Sequence, residues 1–243
     1  MTFMADPRLR IASYNIRKAR GLDNRRMPDR ILDVINGLNA DVVLLQEADK
    51  RLGRRPPAIP REMIAAQTDF DLVETSRNGL SLGWHGNAVL VRRGLQASEV
   101  TRVDLPGLEP RGAVRVTLNV GAGLCVVATH LGLRRRDRQR QLHALMTATA
   151  GWHHTVMAGD FNEWSRHRGF EPLAHRFQVM APGRSFHARR PLAALDRFAI
   201  SHGLTLVGGG VAEDDLARRA SDHLPVWADI AVPQARAGRT GES

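Results

Sequence analysis

Short apolar runs separated by polar, glycine- and proline-containing stretches recur along the chain, roughly every 15 to 40 residues. Arg10 to Ile16 reads as a strand, and a loop leads from it to an amphipathic helix from about Pro28 to Leu38. Asp41 to Gln46 carries Val42-Val43-Leu44-Leu45, a run apolar on both faces, as expected of a strand buried on both sides. Ala88 to Arg92 is a further strand. Val114, Val116, Leu118 and Val120 then alternate with Arg115, Thr117 and Asn119, the period of a half-buried strand. Gly121-Ala122-Gly123 supplies a tight turn into Leu124 to Thr129, so these two runs are predicted to form a hairpin. The clearest helix is Arg136 to Ala150, with Leu142, Leu145 and Met146 on one stripe. Thr155 to Ala158, Arg197 to Ser201, Thr205 to Val207 and Val226 to Val232 complete the strands.

Strands outnumber helices, some neighbours are antiparallel, and no repeat is visible. That mixture predicts an α/β protein with two sheets packed face to face and helices outside, rather than one doubly wound sheet. A length of 243 residues predicts one domain, here 1–232, with a polar and disordered tail from Pro233 to Ser243. Residues 50–60 read as a basic, proline-rich loop.

Composition changes this picture little. Hydrophobic residues make up 43% and charged ones 25%, ordinary for a globular protein. The single cysteine, Cys125, lies in an apolar run and reads as core filler; no disulfide can form within one chain. No apolar leader opens the sequence and no run approaches a membrane span, so the expectation is a cytoplasmic protein without a transmembrane segment or an obligate protein partner. The net charge of +10 invites a polyanion such as nucleic acid or anionic lipid. Arginine, however, is spread along the whole chain and lysine is nearly absent, so charge alone identifies no surface.

The polar residues that could do chemistry fall at predicted strand ends. Asn15 ends the first strand, Glu47 the second and His130 the hairpin, while Asp160 and Asn162 follow the strand after the main helix. Asp196 opens a strand, and Asp222-His223 precedes the last. Side chains remote in sequence can converge in this way at one sheet edge. Carboxylates, amides and imidazoles together can hold a divalent cation, orient a water and steady a phosphate.

The ordered set Ser13-Tyr14-Asn15-Ile16, Leu45-Gln46-Glu47, Gly86-Asn87-Ala88-Val89-Leu90, Arg111-Gly112-Ala113, Thr129-His130-Leu131, Gly159-Asp160-Phe161-Asn162, Leu195-Asp196-Arg197-Phe198 and Ser221-Asp222-His223-Leu224-Pro225 resembles the endonuclease/exonuclease/phosphatase superfamily over about residues 9–230. The resemblance implies a four-layer αββα sandwich of two mixed, largely antiparallel sheets. It also implies a hydrolase that cleaves phosphoester bonds with Mg²⁺ or Mn²⁺.

Residue by residue, it implies Glu47 as the principal metal ligand, with Asp222 as a second carboxylate near the metal and Asn15 as a polar anchor for metal site and phosphate. Asp160 would orient or deprotonate the attacking water, and Asn162 would bind the phosphate and help position that water. Both residue types are also common turn formers. Asp196 would fix the tautomer of His223, which acts either as a base or as a cation facing the reacting phosphate. Similarity to pancreatic-type deoxyribonucleases would set His130 beside the leaving oxygen. The glutamate that supports the histidine there is replaced near Gly86, so general acid and phosphate ligand both stay open for His130. Abasic-site endonucleases carry a tyrosine at that place, whereas this chain's only tyrosine is Tyr14.

Arg111 is expected to clamp phosphate, with Asn87 and Trp164 lining the substrate cleft. Arg134 to Arg140 could form a nucleic-acid patch but is expected to be a solvated helix start, and His153-His154 a surface pair. The expected activity is that of a phosphodiesterase or nuclease using in-line attack by water. Hydrolysis of a phospholipid or inositol phosphate is the alternative. A silent binding protein would be marked by a missing site carboxylate, and none is missing.

Overall fold

A computed structural model describes residues 5–50 and 53–235. Among these, twelve strands and four helices follow one another: β1 (Arg8–Asn15), α1 (Pro28–Gly37), β2 (Val42–Gln46), α2 (Arg61–Gln67), β3 (Phe70–Leu72), β4 (Ala88–Arg92), β5 (Ala97–Leu105), β6 (Arg111–Leu118), β7 (Leu124–His130), α3 (Arg135–Ala148), β8 (Thr155–Asp160), β9 (Phe177–Met180), β10 (Asp196–Ser201), β11 (Thr205–Val211), α4 (Ala217–Ala220) and β12 (Val226–Ala231). They form two six-stranded sheets, ordered β11-β12-β1-β2-β4-β3 and β5-β6-β7-β8-β10-β9.

Each sheet is antiparallel except for one central pair. β1 and β2 run parallel in the first, β7 and β8 in the second. A parallel pair needs a crossover, and the two crossovers carry α1 and α3, the two longest helices. Period-2 alternation then divides each strand between two faces. Ile11, Val42, Leu44 and Val89 of the first sheet meet Val114, Val126, Val156 and Phe198 of the second in the central core. The opposite face of the first sheet (Ala12, Tyr14, Val43, Leu45) packs on Ile31 and Ile35 of α1. On the far side, Cys125, Val127 and Met157 pack on Leu142 and Leu145 of α3. The layers are αββα, as the ordered motifs imply. No described helix is long and apolar enough to cross a membrane.

The predicted hairpin forms between β6 and β7, and Gly121, at φ +55, occupies its turn. The half-buried reading of that first strand fails on its polar face. Thr117 is buried, and Arg115 is half-buried because α3 covers that side and Arg115 Nη1 donates to Ala148 O at 2.9 Å. The basic helix start is likewise only partly solvated. Arg138 is buried, pairs with Glu163 at 2.7 Å and donates to Leu133 O at 2.6 Å. Sequence pattern missed α2, β3, β5, β9 and α4. β5 is an edge strand whose exposed residues carry no apolar alternation, the ordinary condition of a protected edge. The tail expected from Pro233 lies mostly outside the described residues, as do Arg51 and Leu52 of the proline-rich loop.

Registry does the positioning. His130 of β7 lies opposite Asp160 of β8, and Asp160 opposite Asp196 of β10, so three chemical residues stand in one row across three strands. In the same register Gly159 faces Thr129, and a Cβ built on Gly159 (φ +156) would fall 1.8 Å from Thr129 O. The obstruction is backbone and cannot rotate away. Gly159→Ala is therefore expected to cost about 1–3 kcal/mol, the range of overpacked cores. In urea or thermal unfolding, a variant as stable as the parent would show that the strands do not approach this closely.

Candidate active site

Asp160 is the centre of the site. It ends β8 and is 2% exposed, yet its two oxygens have four polar neighbours. Oδ1 accepts from the backbone N–H of Asn162 at 2.9 Å, and Oδ2 accepts from Asn15 Nδ2 at 3.1 Å. His130 Nε2 lies 3.3 Å and His223 Nε2 3.6 Å from the same Oδ2. Burial is the largest influence on this carboxyl and pushes its pKa up, the His223 charge opposes it, and the result is about 6.

His223 is oriented from its other nitrogen. Asp196 Oδ2 meets its Nδ1 at 2.7 Å and also accepts the Ser185 hydroxyl at 2.6 Å. Asp196 and Ser185 are fully buried, and Phe186 packs against the imidazole with ring centroids 4.9 Å apart. Burial alone would lower the pKa of His223, but the negative charges of Asp196 and Asp160 together outweigh it and raise the value. These charges favour the imidazolium form of His223, and the bond to Asp196 fixes the direction of its ring.

The first sheet contributes the facing wall. Asn15 ends β1; its side-chain oxygen accepts the Arg17 N–H at 3.1 Å, while Ser221 Oγ donates to its carbonyl at 2.7 Å. That last bond ties the Ser221-Asp222-His223 segment to β1. Glu47 follows β2 with φ +52, and Asn162 follows β8 with φ +50. Left-handed backbone at a non-glycine residue costs energy and persists where the surroundings enforce it. Glu47 and His130 line one cavity of about 150 Å³ together with Arg111, Lys18, Asp49 and Arg55. The Lys18 ammonium contacts the Glu47 carboxylate, and Asp222 Oδ2 lies 3.3 Å from Arg17 Nε.

Of the predicted residues, Asn15, His130, Asp160, Asn162, Asp196 and His223 form one connected network, and Glu47 and Arg111 join it through the cavity shared with His130. Arg111 is 8% exposed, is paired with Glu109 at 2.8 Å, and has a buried Nε without a hydrogen bond. Asn162 Nδ2 donates to Leu131 O at 2.8 Å, which fixes the direction of its amide. Asn87 is not brought to the cavity surface: it is fully buried, and its Nδ2 donates to Gly112 O at 2.8 Å. Trp164 is 67% exposed and stands edge-on to Phe186 at 6.2 Å, which reaches His223.

Sequence reasoning missed Ser185, Phe186, Lys18, Asp49, Lys50, Arg55 and His85. Lys18 is one of two lysines in an arginine-rich chain, a signal that was available. Ser185 stands eleven positions before Asp196 in an irregular loop, where no periodicity marks it.

The donor set suits a hard divalent cation in a particular way. Among the described residues, no three His, Cys, Asp or Glu side chains gather as a closed metal cage. A single anchoring carboxylate fits an ion that keeps most of its waters and completes its shell with substrate oxygens, the usual condition of Mg²⁺. Glu47 already holds one cationic group, that of Lys18, at the cavity wall.

The uncharacterised protein YbhP of Escherichia coli K12 is 29% identical over 244 residues, covering 91% of this chain and 95% of that protein. An endonuclease/exonuclease/phosphatase from Beutenbergia cavernae superposes with a TM-score of 0.73 at 23% identity, over 95% of this chain and 73% of that one. TDP2 of D. rerio, complexed with a single-strand DNA product, gives 0.70 at 17% identity, over 93% of this chain and 100% of that one. The model of the endonuclease/exonuclease/phosphatase family matches residues 12–223, a span running from β1 to His223, and this chain belongs to that family.

Proposed function

We propose that the protein is a divalent-metal-dependent phosphodiesterase acting on nucleic acid, in a family whose members are generally phosphoester hydrolases. The observation that carries this reading is the shared oxygen of Asp160, which meets Asn15, His130 and His223 within 3.6 Å. Such an oxygen is where the proton of an attacking water would go. A carboxyl whose pKa is raised to about 6 is a far better proton acceptor than an ordinary aspartate, and it is still ionised at neutral pH. His223, held protonated by its two carboxylates, is unsuited to be that base. It is suited to face the negative charge that gathers on the phosphorus oxygens. Of the two roles open to it, base and cation, the cation is the one its surroundings favour.

Asn162 would orient the water beside Asp160, and Asn15 and Arg111 would hold the non-bridging oxygens. His130, between Asp160 and the cavity, would bind phosphate or protonate the departing oxygen. Glu47 would hold Mg²⁺ or Mn²⁺, with Asp222 and Asn15 as further oxygen donors. A bound ion supplies Lewis-acid polarisation of the phosphate and charge neutralisation. The nucleic-acid substrate is supported by the net charge of +10 and by the single-strand DNA product held by the structurally similar TDP2.

Hydrolysis of a chromogenic phosphodiester is expected with Mg²⁺ or Mn²⁺, to vanish with chelator, and to return on adding metal back. Asp160→Ala is expected to lower kcat by about 10²–10⁴-fold, the range of a lost general base. Glu47→Gln is expected to raise the metal concentration needed for half-maximal rate; wild-type rates in both variants would sink the assignment. Because Asp160 must be ionised to accept a proton, kcat/KM should be level above about pH 6 and fall as pH drops through that value. A flat profile down to pH 4.5, read with a substrate that does not titrate, would show that the Asp160 carboxyl is not raised, since an unshifted Asp sits at about 3.9.

A further inference from the structure

Two features at the margins of the site differ sharply in chemistry. One is cationic. The cavity beside Glu47 is walled by Lys50, Arg55 and His85 as well as by Arg111. Lys50 is exposed, and Arg55 Nη1 lies 3.3 Å from His85 Nδ1, a neutral partner because burial, and then the charge of Arg55, lower the pKa of His85. The nearby carboxylate of Asp49 is turned to backbone, accepting Leu82 N at 2.6 Å and Gly83 N at 3.3 Å. These cations line the cavity that His130 enters, and His130 touches Asp160.

The other feature is aromatic. From Asp160 the contacts run through His223 to Phe186, 4.9 Å away, and on to Trp164 at 6.2 Å, with the last two rings nearly perpendicular at 83°. Trp164 is two residues past Asn162 and leaves 67% of its surface in water. A large ring exposed at a catalytic edge offers a stacking face. One line of contacts therefore joins a cationic cavity, the reacting centre and an aromatic ledge.

We infer that the substrate is single-stranded nucleic acid, with an unpaired base on the Trp164–Phe186 ledge and the strand's phosphate backbone met by Lys50 and Arg55. This rests on the phosphodiesterase reading and specifies its substrate. A repeating chain of phosphates and planar bases is the polymer that offers both groups beside one scissile bond. A paired base inside a duplex has its faces covered by its neighbours and cannot use the ledge, whereas an unpaired one can stack on it. A lipid headgroup offers the phosphate without the planar partner.

The test is binding in chelator, so that no bond is cut, to a dye-labelled single strand of about ten nucleotides. The comparisons are its blunt duplex, an abasic deoxyribose-phosphate strand of equal length, and phosphatidylglycerol vesicles. The single strand is expected to bind about tenfold tighter than the duplex, and Trp164→Ala to weaken it about tenfold while leaving the abasic strand unaffected. Lys50→Ala with Arg55→Ala should weaken both strands and reduce the salt slope by roughly 0.7 for each phosphate that the two side chains no longer neutralise. Equal binding of strand and duplex, an unchanged affinity in Trp164→Ala, or tighter binding to the vesicles than to the strand would overturn the proposal. Metal-dependent cleavage of bis(p-nitrophenyl) phosphate by the wild-type protein separates the two readings. Its absence would sink the hydrolase assignment, while the titrations decide the strand preference on their own.

Discussion

One carboxylate oxygen, Oδ2 of Asp160, is approached by an amide at the end of β1, by one imidazole at the end of β7 and by a second from the segment that leads into β12. Everything else about the site depends on keeping that oxygen charged at neutral pH while it is buried. Burial works against ionisation, and the imidazolium of His223 works for it. The imidazolium in turn is favoured by the charges of Asp196 and Asp160, and Asp196 is held in place by the Ser185 hydroxyl. A proton acceptor and a cation are thus held side by side without neutralising each other's role, through a second, fully buried carboxylate.

The fold supplies this arrangement by registry rather than by loop conformation. Parallel pairing of β7 with β8 and antiparallel pairing of β8 with β10 bring His130, Asp160 and Asp196 into one row. The first sheet repeats the plan, with a parallel pair at its centre and Asn15 and Glu47 at the corresponding strand ends. Sites built on strand ends are held more firmly than sites on free loops. Left-handed backbone recurs around the site, at Arg17, Lys18, Glu47, Arg55, His85 and Asn162. Conformational cost concentrated at the chemistry is the usual sign of a working site.

The margins of the site extend the same logic. Lysine and arginine side chains gather beyond His130, and aromatic ones beyond His223. The first group is met by charge, the second by a planar face. Each group is linked to Asp160 through a different imidazole, a connection that a diffuse basic surface of the same net charge would lack.

What the sequence determined by itself was the chemistry and the broad architecture. Buried strands declare themselves by continuous apolar runs, as at Val42 to Leu45, because burial on both faces leaves no other composition. Asn15, Glu47, Asp160, Asp196 and His223 were legible because each directly ends or borders such a run, and because their order repeats a family's motifs. Tertiary structure alone decided the rest. The edge strand β5 and the short β9 carry little apolar pattern, since an edge buries less, and so no periodicity announced them. Ser185, Phe186 and Lys18 act through contacts with residues remote in sequence or turned by unusual backbone, and no local spacing encodes such a meeting. Asn87, expected at the cleft, is fully buried against β6, because the same amide can serve a pocket or a turn and only packing chooses. The protonation of Asp160 and His223 belongs to the same class. A pKa is set by burial and by the distance to other charges, and both quantities exist only once the two sheets have closed on each other.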